Sequence, residues 1–422
     1  MARTRVARTQ VAQVARTPVA PAQASTPVSQ RVLAPDVARG AMLLLIALAN
    51  AHLYVTGREL GFRGYPAPEV MGAAERVVTA VQLTLVDGRA FPLFSLLFGY
   101  GVVQLARRRR GAGSPEPAVV RLVRRRGWWM LLIGAVHGVL LWPGDVVGAY
   151  GLIAVLFAGA LVRGRLRALL VAGVLLVALA GAGEGLRTPG GTTAMVPSLG
   201  EDDVLPALGY RLLEWPSVGV LAQGVGLVGA VAAGAWAARR RLLDEPARHR
   251  RLLVRVAVAG VLLAVAGGLP LALIASGVWA GPSLGAQALA GAAHGLGGYA
   301  GGAGYAALFG LLAARAVGAG QRPGPVVTAL AACGQRSLSC YLAQSVLFCA
   351  VLVSWGASWG GGLAPRGGLV VTAAVAAATW ALTVLLARAL HARDRRGPAE
   401  VLLRRLTYGG RSGVPVTVDV RG

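Results

Sequence analysis

The chain is 422 residues long, 55% hydrophobic, with a mean hydropathy of +0.62 and a formal net charge of +25. That apolar content excludes an ordinary soluble domain. The charge does not point to nucleic acid, because the basic residues, all of them arginines, flank apolar runs of about 18 or more residues, long enough to cross a bilayer; anionic lipid headgroups are the expected partner, at about 1 kcal/mol per basic residue near the surface.

Residues 1–35 are rich in Arg, Thr, Pro, Gln and Ala and contain no acid. They lack the continuous apolar core of a signal peptide, so they read as a disordered basic cytoplasmic tail. Residues 36–391 form a transmembrane helical domain, and 392–422 a cytoplasmic C-terminal tail. About ten spans of roughly 20 residues follow one another, near 37–56, 89–106, 127–143, 146–162, 168–184, 217–238, 252–278, 289–314, 338–357 and 368–390. Backbone polar groups cannot go unpaired in lipid, so each is expected to be helical despite its Val and Gly content. The fold class is therefore all-α, a polytopic transmembrane helical bundle.

Several segments between and within these spans have their own signatures. Residues 65–84 are apolar but broken by Glu69, Glu75 and Arg76, as in an amphipathic helix lying on the outer face. Trp128 and Trp129 follow Arg124–Arg126, the order expected of an interfacial anchor. Pro143-Gly144-Asp145 closes a tight helical hairpin, and 185–215 form a second outer loop. Gly297, Gly298, Gly301, Gly302 and Gly304 contain two overlapping GxxxG spacings, suited to close helix contact. Pro325–Gly334 is too short to span and reads as a ledge leading into the ninth span. Cys333, Cys340 and Cys349 have neither disulfide nor zinc spacing and read as free buried thiols; no metal is expected.

Counted over alternate gaps, one side of the spans holds about 34 Arg and 7 acids, and the other about 7 Arg and 10 acids. This asymmetry is the positive-inside pattern and places both termini in the cytoplasm. A composition without Lys and heavy in Ala, Gly, Val and Arg points to a GC-rich bacterial coding bias, and the expected location of such a polytopic protein is the bacterial plasma membrane.

Ionisable groups inside a membrane are costly and are functional candidates by default. His52, Asp87, Arg89, His137 and Asp145 stand out on the outer half. His137 lies roughly 16 Å along the helix beyond Arg126, past the middle of the bilayer. Asp145 reads two ways: as the N-cap of the fourth span, or as a carboxylate reaching back to orient His137 as a general base. Asp87 and Arg89 either cap the second span or pair with each other. On the inner side Asp36 and Arg39 share a helical face, and Arg39 is suited to a phosphate-bearing group. The polar run Gly334–Tyr341, including Arg336 and followed by Gln344, either lines a watery vestibule or satisfies helix ends. His294 enters the Gly-rich helix without a nearby carboxylate.

The order Asp36-Val-Ala-Arg39-Gly40, Asp87–Gly101, Gly134-Ala-Val-His137-Gly138 with Leu141-Trp142, Gly144-Asp145 and Tyr150, Gly334–Tyr341 with Gln344-Ser345, and Gly397-Pro398-Ala-Glu400 with Arg404–Tyr408 resembles the YeiB-like bacterial membrane proteins, a family of unknown function. Val401 and Cys340 stand where that pattern has Trp and Asn. The first two motifs are also similar to a wider transmembrane acyltransferase superfamily that includes the heparan-glucosaminide acetyltransferases and the surface-polysaccharide O-acyltransferases. That likeness implies acyl-CoA as donor substrate, with no bound cofactor, and an envelope glycan or lipid as acceptor. It also places His52 roughly where the heparan-type enzymes carry a catalytic histidine. In that reading Arg39 and Arg336 hold the donor, His137 and Asp145 are catalytic, and Asp36, His52, Asp87, Arg89, Tyr341 and Gln344 contribute to binding. The alternative is a transporter or lipid-handling protein without covalent chemistry, against which stands the lack of a clear internal repeat.

Overall fold

A computed structural model describes residues 33–55, 58–186, 196–201, 203–318, 323–352 and 363–409. The tail expected over 1–35 lies almost wholly outside the described residues, as does the end of the C-terminal segment. Among the described residues there is no strand, only an isolated antiparallel bridge between Leu60 and Pro66.

The helices are α1 (Leu33–Ala51), α2 (Ala73–Leu85), α3 (Ala90–Gly111), α4 (Glu116–Leu140), α5 (Val146–Arg163), α6 (Arg167–Gly185), α7 (Val204–Glu214), α8 (Gln223–Arg239), α9 (Arg250–Ala275), α10 (Leu284–Gly318), α11 (Pro325–Gln335), α12 (Ser337–Leu352), α13 (Leu363–Ala392) and α14 (Pro398–Tyr408). Eight helical stretches are long and apolar enough to cross a membrane by length and composition. They coincide with eight of the ten expected spans. The other two are α4, whose first half carries Arg121 and Arg124–Arg126, and α12, described over 16 residues. Lipid-facing surfaces are apolar in the way a bilayer requires: Leu175 and Leu179 on α6 are 64% and 72% exposed. Trp128 is exposed next to its arginines, as expected of an interfacial anchor.

Glycine lets the helices approach closely. A Cβ at Gly99 would overlap the Val231 carbonyl, joining α3 to α8, and one at Gly260 would lie 2.5 Å from the Ala300 oxygen and 2.7 Å from Gly304 Cα, joining α9 to α10. The second of these pairs uses the Gly-rich face anticipated on α10. The arginine-rich segments collect at one end of the bundle, where Arg110 and Arg239 both donate to the Val162 carbonyl and Arg125 donates to that of Leu406.

Two segments differ from expectation, and a third meets it. Residues 65–84 are not one surface helix: 3-10 turns at Phe62–Gly64 and Pro68–Val70 precede α2, which packs on α9 and runs into α3 across Gly88, whose φ is +73°. The outer loop before the sixth span contains α7, which continues through a π-helical turn (Trp215–Ala222) into α8, so that helix starts well before residue 217. The ledge α11 packs tightly across α1, with Gly40 against Leu330 and Gly334 against the Asp36 carbonyl. The packing of α2 on α9 is a tertiary contact that local hydropathy does not show.

Candidate functional site

The turn Pro143-Gly144-Asp145 folds α5 back against α4 and brings Asp145 to His137. The imidazole Nδ1 donates to Asp145 Oδ1 at 2.8 Å, and the backbone N–H of Gly148 donates to Asp145 Oδ2 at 2.6 Å. The carboxylate thus does both jobs the sequence left open, capping α5 with one oxygen and orienting His137 with the other. With Nδ1–H directed at a carboxylate, the free lone pair sits on Nε2. That atom is buried and has no hydrogen-bond partner among the described residues. Both residues are inaccessible, at 3% and 0% exposure.

Aromatic groups enclose this pair. The Tyr341 ring lies 5.1 Å from the imidazole, tilted by 56°. Trp215, at the π-helical turn, packs where Gly138 and Gly148 leave room: a Cβ at Gly138 would overlap its indole, and one at Gly148 would lie 3.0 Å from its Cζ2. A Cβ at Gly134 would overlap Asp145 Oδ2. Tyr54 stacks on Trp142 at 5.2 Å. The hydroxyl of Tyr341 and the indole N–H groups of Trp142 and Trp215 are buried with no hydrogen-bond acceptor among the described residues. One acceptor and three potential donors in an apolar setting are costly to leave unmade, each about 1–3 kcal/mol, and such groups suit a polar ligand.

A second cluster collects His52, Asp87 and Arg89. Arg63 donates to both Asp87 oxygens, from Nε at 2.8 Å and Nη2 at 3.1 Å. Burial works against the Arg63 charge, yet the facing Asp87 carboxylate more than offsets it and raises the guanidinium's pKa above the ordinary arginine value. Tyr65 stacks on His52 at 4.0 Å, and His52 Nε2 lies 3.1 Å from the Arg63 carbonyl. Burial, and then the Asp87 charge, push the Tyr65 phenol well up, so it remains a donor to Gln82 Oε1 at 3.0 Å. Arg89 is fully buried; it donates to the carbonyls of Asp87 at 2.5 Å and Ala264 at 2.6 Å, and lies 3.0 Å from His294 Nδ1. Asp87 and Arg89 therefore do not pair through their charged ends. Arg63 is the carboxylate's partner, and helix geometry directs Arg89 into the α9–α10 crevice, where a Cβ at Gly268 would overlap its Nη2.

At the basic end Arg39 bridges Asp36 at 3.1 Å and donates to the Leu97 carbonyl at 3.2 Å. Arg336 donates to the carbonyls of Ala332, at 3.0 Å, and Arg395. Gln344 donates to Thr383 Oγ1 at 3.5 Å. Glu400, in the closing Gly-Pro-x-Glu segment, caps α12: its Oε1 accepts from Leu338 N at 2.8 Å and its Oε2 from Ser339 Oγ at 2.5 Å. The polar run before Tyr341 thus satisfies helix ends. Among the described residues no three His, Cys, Asp or Glu side chains converge to hold a metal ion.

Arg63, Trp215 and Gly148 are not among the sequence candidates, whereas Gly134 and Gly138 stand in the motif around His137. Gly134 and Gly138 form a small-x-x-x-small spacing that encloses His137.

Residues 237–410 match the family model described as "Protein of unknown function (DUF418)". That match takes in α9 to α14, including Tyr341 and Glu400, and begins after the His137–Asp145 pair. The chain is also similar to the "Uncharacterized protein YxaH" of Bacillus subtilis (strain 168), with 24% identity over 418 residues covering 90% of this chain and 95% of the relative. A likeness over nearly both full lengths takes in the dyad helices and the second cluster as well. Both comparisons agree with a multi-pass membrane protein of a domain-of-unknown-function family.

Proposed function

We propose that this protein is a bacterial plasma-membrane acyltransferase, with its basic end and both termini in the cytoplasm, that moves an acyl group from acyl-CoA to a hydroxyl of an envelope glycan or lipid. The carrying observation is the buried His137–Asp145 pair, whose Nε2 has no partner among the described residues and lies beside unpartnered phenol and indole donors.

In this reading His137 Nε2 takes the proton of the acceptor hydroxyl as its oxygen attacks the thioester carbonyl. Asp145 holds the tautomer and stabilises the imidazolium that forms. Tyr341 and Trp215 donate to the oxyanion of the tetrahedral intermediate. As the C–S bond breaks, the imidazolium returns its proton to the departing thiolate, so the products are an ester and free thiol. Base catalysis of this kind contributes roughly 10²–10⁴-fold. Arg39, a fifth exposed at the mouth of α1, is the contact for donor phosphates. Arg336 serves the fold, its guanidinium engaged by main-chain carbonyls.

Purified protein given labelled acyl-CoA and envelope material, glycan and lipid fractions tested separately, should produce an acylated acceptor in one of them, and His137→Gln should abolish it. Solute flux in proteoliposomes that His137→Gln leaves intact, with no acylation by the wild type, would instead establish the transport reading.

A further inference from the structure

At the basic end, where α3, α5 and α8 terminate, the bundle holds a cavity of about 290 Å³. Four arginines line it, Arg107, Arg110, Arg239 and Arg241, together with Val103, Ala106 and Val162; no carboxylate is among the lining residues. Asp244 answers Arg107, Glu116 is shared between Arg110 and Arg163, and Glu245 between Arg241 and Arg248. Arg239 donates to the carbonyls of Leu161 and Val162, at 3.0 and 2.7 Å, and among the described residues makes no salt bridge of its own. Around the cavity guanidiniums outnumber carboxylates two to one. Arg110 and Arg239 make these bonds through Nη2, both at exposed positions.

The cavity is built. Tyr100, fully buried, accepts from the main-chain N–H groups of Leu243 and Asp244 at 3.1 and 3.0 Å, pinning the loop after α8. Gln104 donates to Asp244 at 2.7 Å and fixes the same loop from α3. Arg241 holds a left-handed conformation there, φ +54°, which few side chains adopt. Gly164, φ +85°, ends α5, and a Cβ on it would lie 2.7 Å from Arg239 Cζ. Two strained or side-chain-free positions are thus committed to placing guanidiniums. Trp236, 42% exposed with Arg240 over its ring at 5.3 Å, puts this level at the membrane interface.

We propose that this cavity binds a phosphate-bearing anion. Several planar forks around a small volume match tetrahedral phosphate oxygens better than a single carboxylate, and an open-mouthed cavity of this size suits one headgroup-sized anion where nucleic acid needs an extended stripe. This site stands apart from His137 and does not rest on the acyl-transfer reading. A phospholipid headgroup and a free phosphate compound share the chemistry, and the test separates them.

The intact protein is purified in detergent. Native mass spectrometry follows retention of added phosphatidylglycerol, and thermal unfolding follows stabilisation by pyrophosphate. Arg110→Gln with Arg239→Gln should weaken binding about tenfold or more, whereas Arg121→Gln with Arg255→Gln, exposed at the same end but outside the cavity, should not. Arg241→Gln carries the test if the first pair fails to elute as one species. Retained lipid lost only in cavity variants identifies a headgroup; pyrophosphate stabilisation lost in the same variants identifies a soluble phosphate compound. No binding by either probe, or equal weakening in the control pair, overturns the proposal.

Discussion

Replacing Asp145 separates its two roles. In Asp145→Ala the α5 N-terminus loses its cap to Gly148 N, worth about 1 kcal/mol. The buried Nδ1–H of His137 also loses its acceptor, at about 1–3 kcal/mol. Together these predict about 2–4 kcal/mol of destabilisation. Asp145→Asn keeps the shape and an oxygen for Gly148. Its amide then faces Nδ1, which becomes the acceptor while the proton moves to Nε2, so the expected cost is under about 1 kcal/mol. The assay is equilibrium unfolding in mixed SDS and mild-detergent micelles, run as a double-mutant cycle with His137→Ala. A coupling energy of about 1–3 kcal/mol is expected. Activity should divide differently: both Asp145 variants lose acyl transfer, because in the Asn variant Nε2 carries the proton it must accept. Equal destabilisation by Ala and Asn, or a coupling below about 0.5 kcal/mol, refutes the assigned geometry.

Three further outcomes follow from the same structure. Arg63→Ala leaves the Asp87 carboxylate buried without its guanidinium and should cost about 3–5 kcal/mol in the same unfolding assay, with Arg63→Gln/Asp87→Asn recovering part of the loss. Gly268→Ala drives a methyl into the Arg89 guanidinium, itself held by two carbonyls, and should cost about 1–3 kcal/mol, whereas Gly183→Ala, with nothing within 4 Å, should stay within about 0.5 kcal/mol of wild type. Glu400→Gln weakens the charge-assisted cap on α12; a loss of about 1–2 kcal/mol is expected, and amide exchange at Leu338 and Ser339 should quicken while that at His137 does not.

The chain's amino acids alone determined that it is an all-helical membrane bundle, and very nearly where its helices lie, because hydropathy and arginine placement are summed over contiguous residues and need no partner. The His137–Asp145 contact was within reach for the same reason: a three-residue turn leaves two helices no choice but to be neighbours. Tertiary structure alone decided which buried charge meets which. Asp87 faces Arg63 across a loop, Arg89 meets His294 from 205 positions away, and Trp215 closes over the dyad from a helix that starts before its expected span. Those choices depend on how far each helix rotates about its own axis. Glycines such as Gly138 and Gly268 set that rotation by admitting one side chain at one point, a steric condition that exists only once the helices are packed.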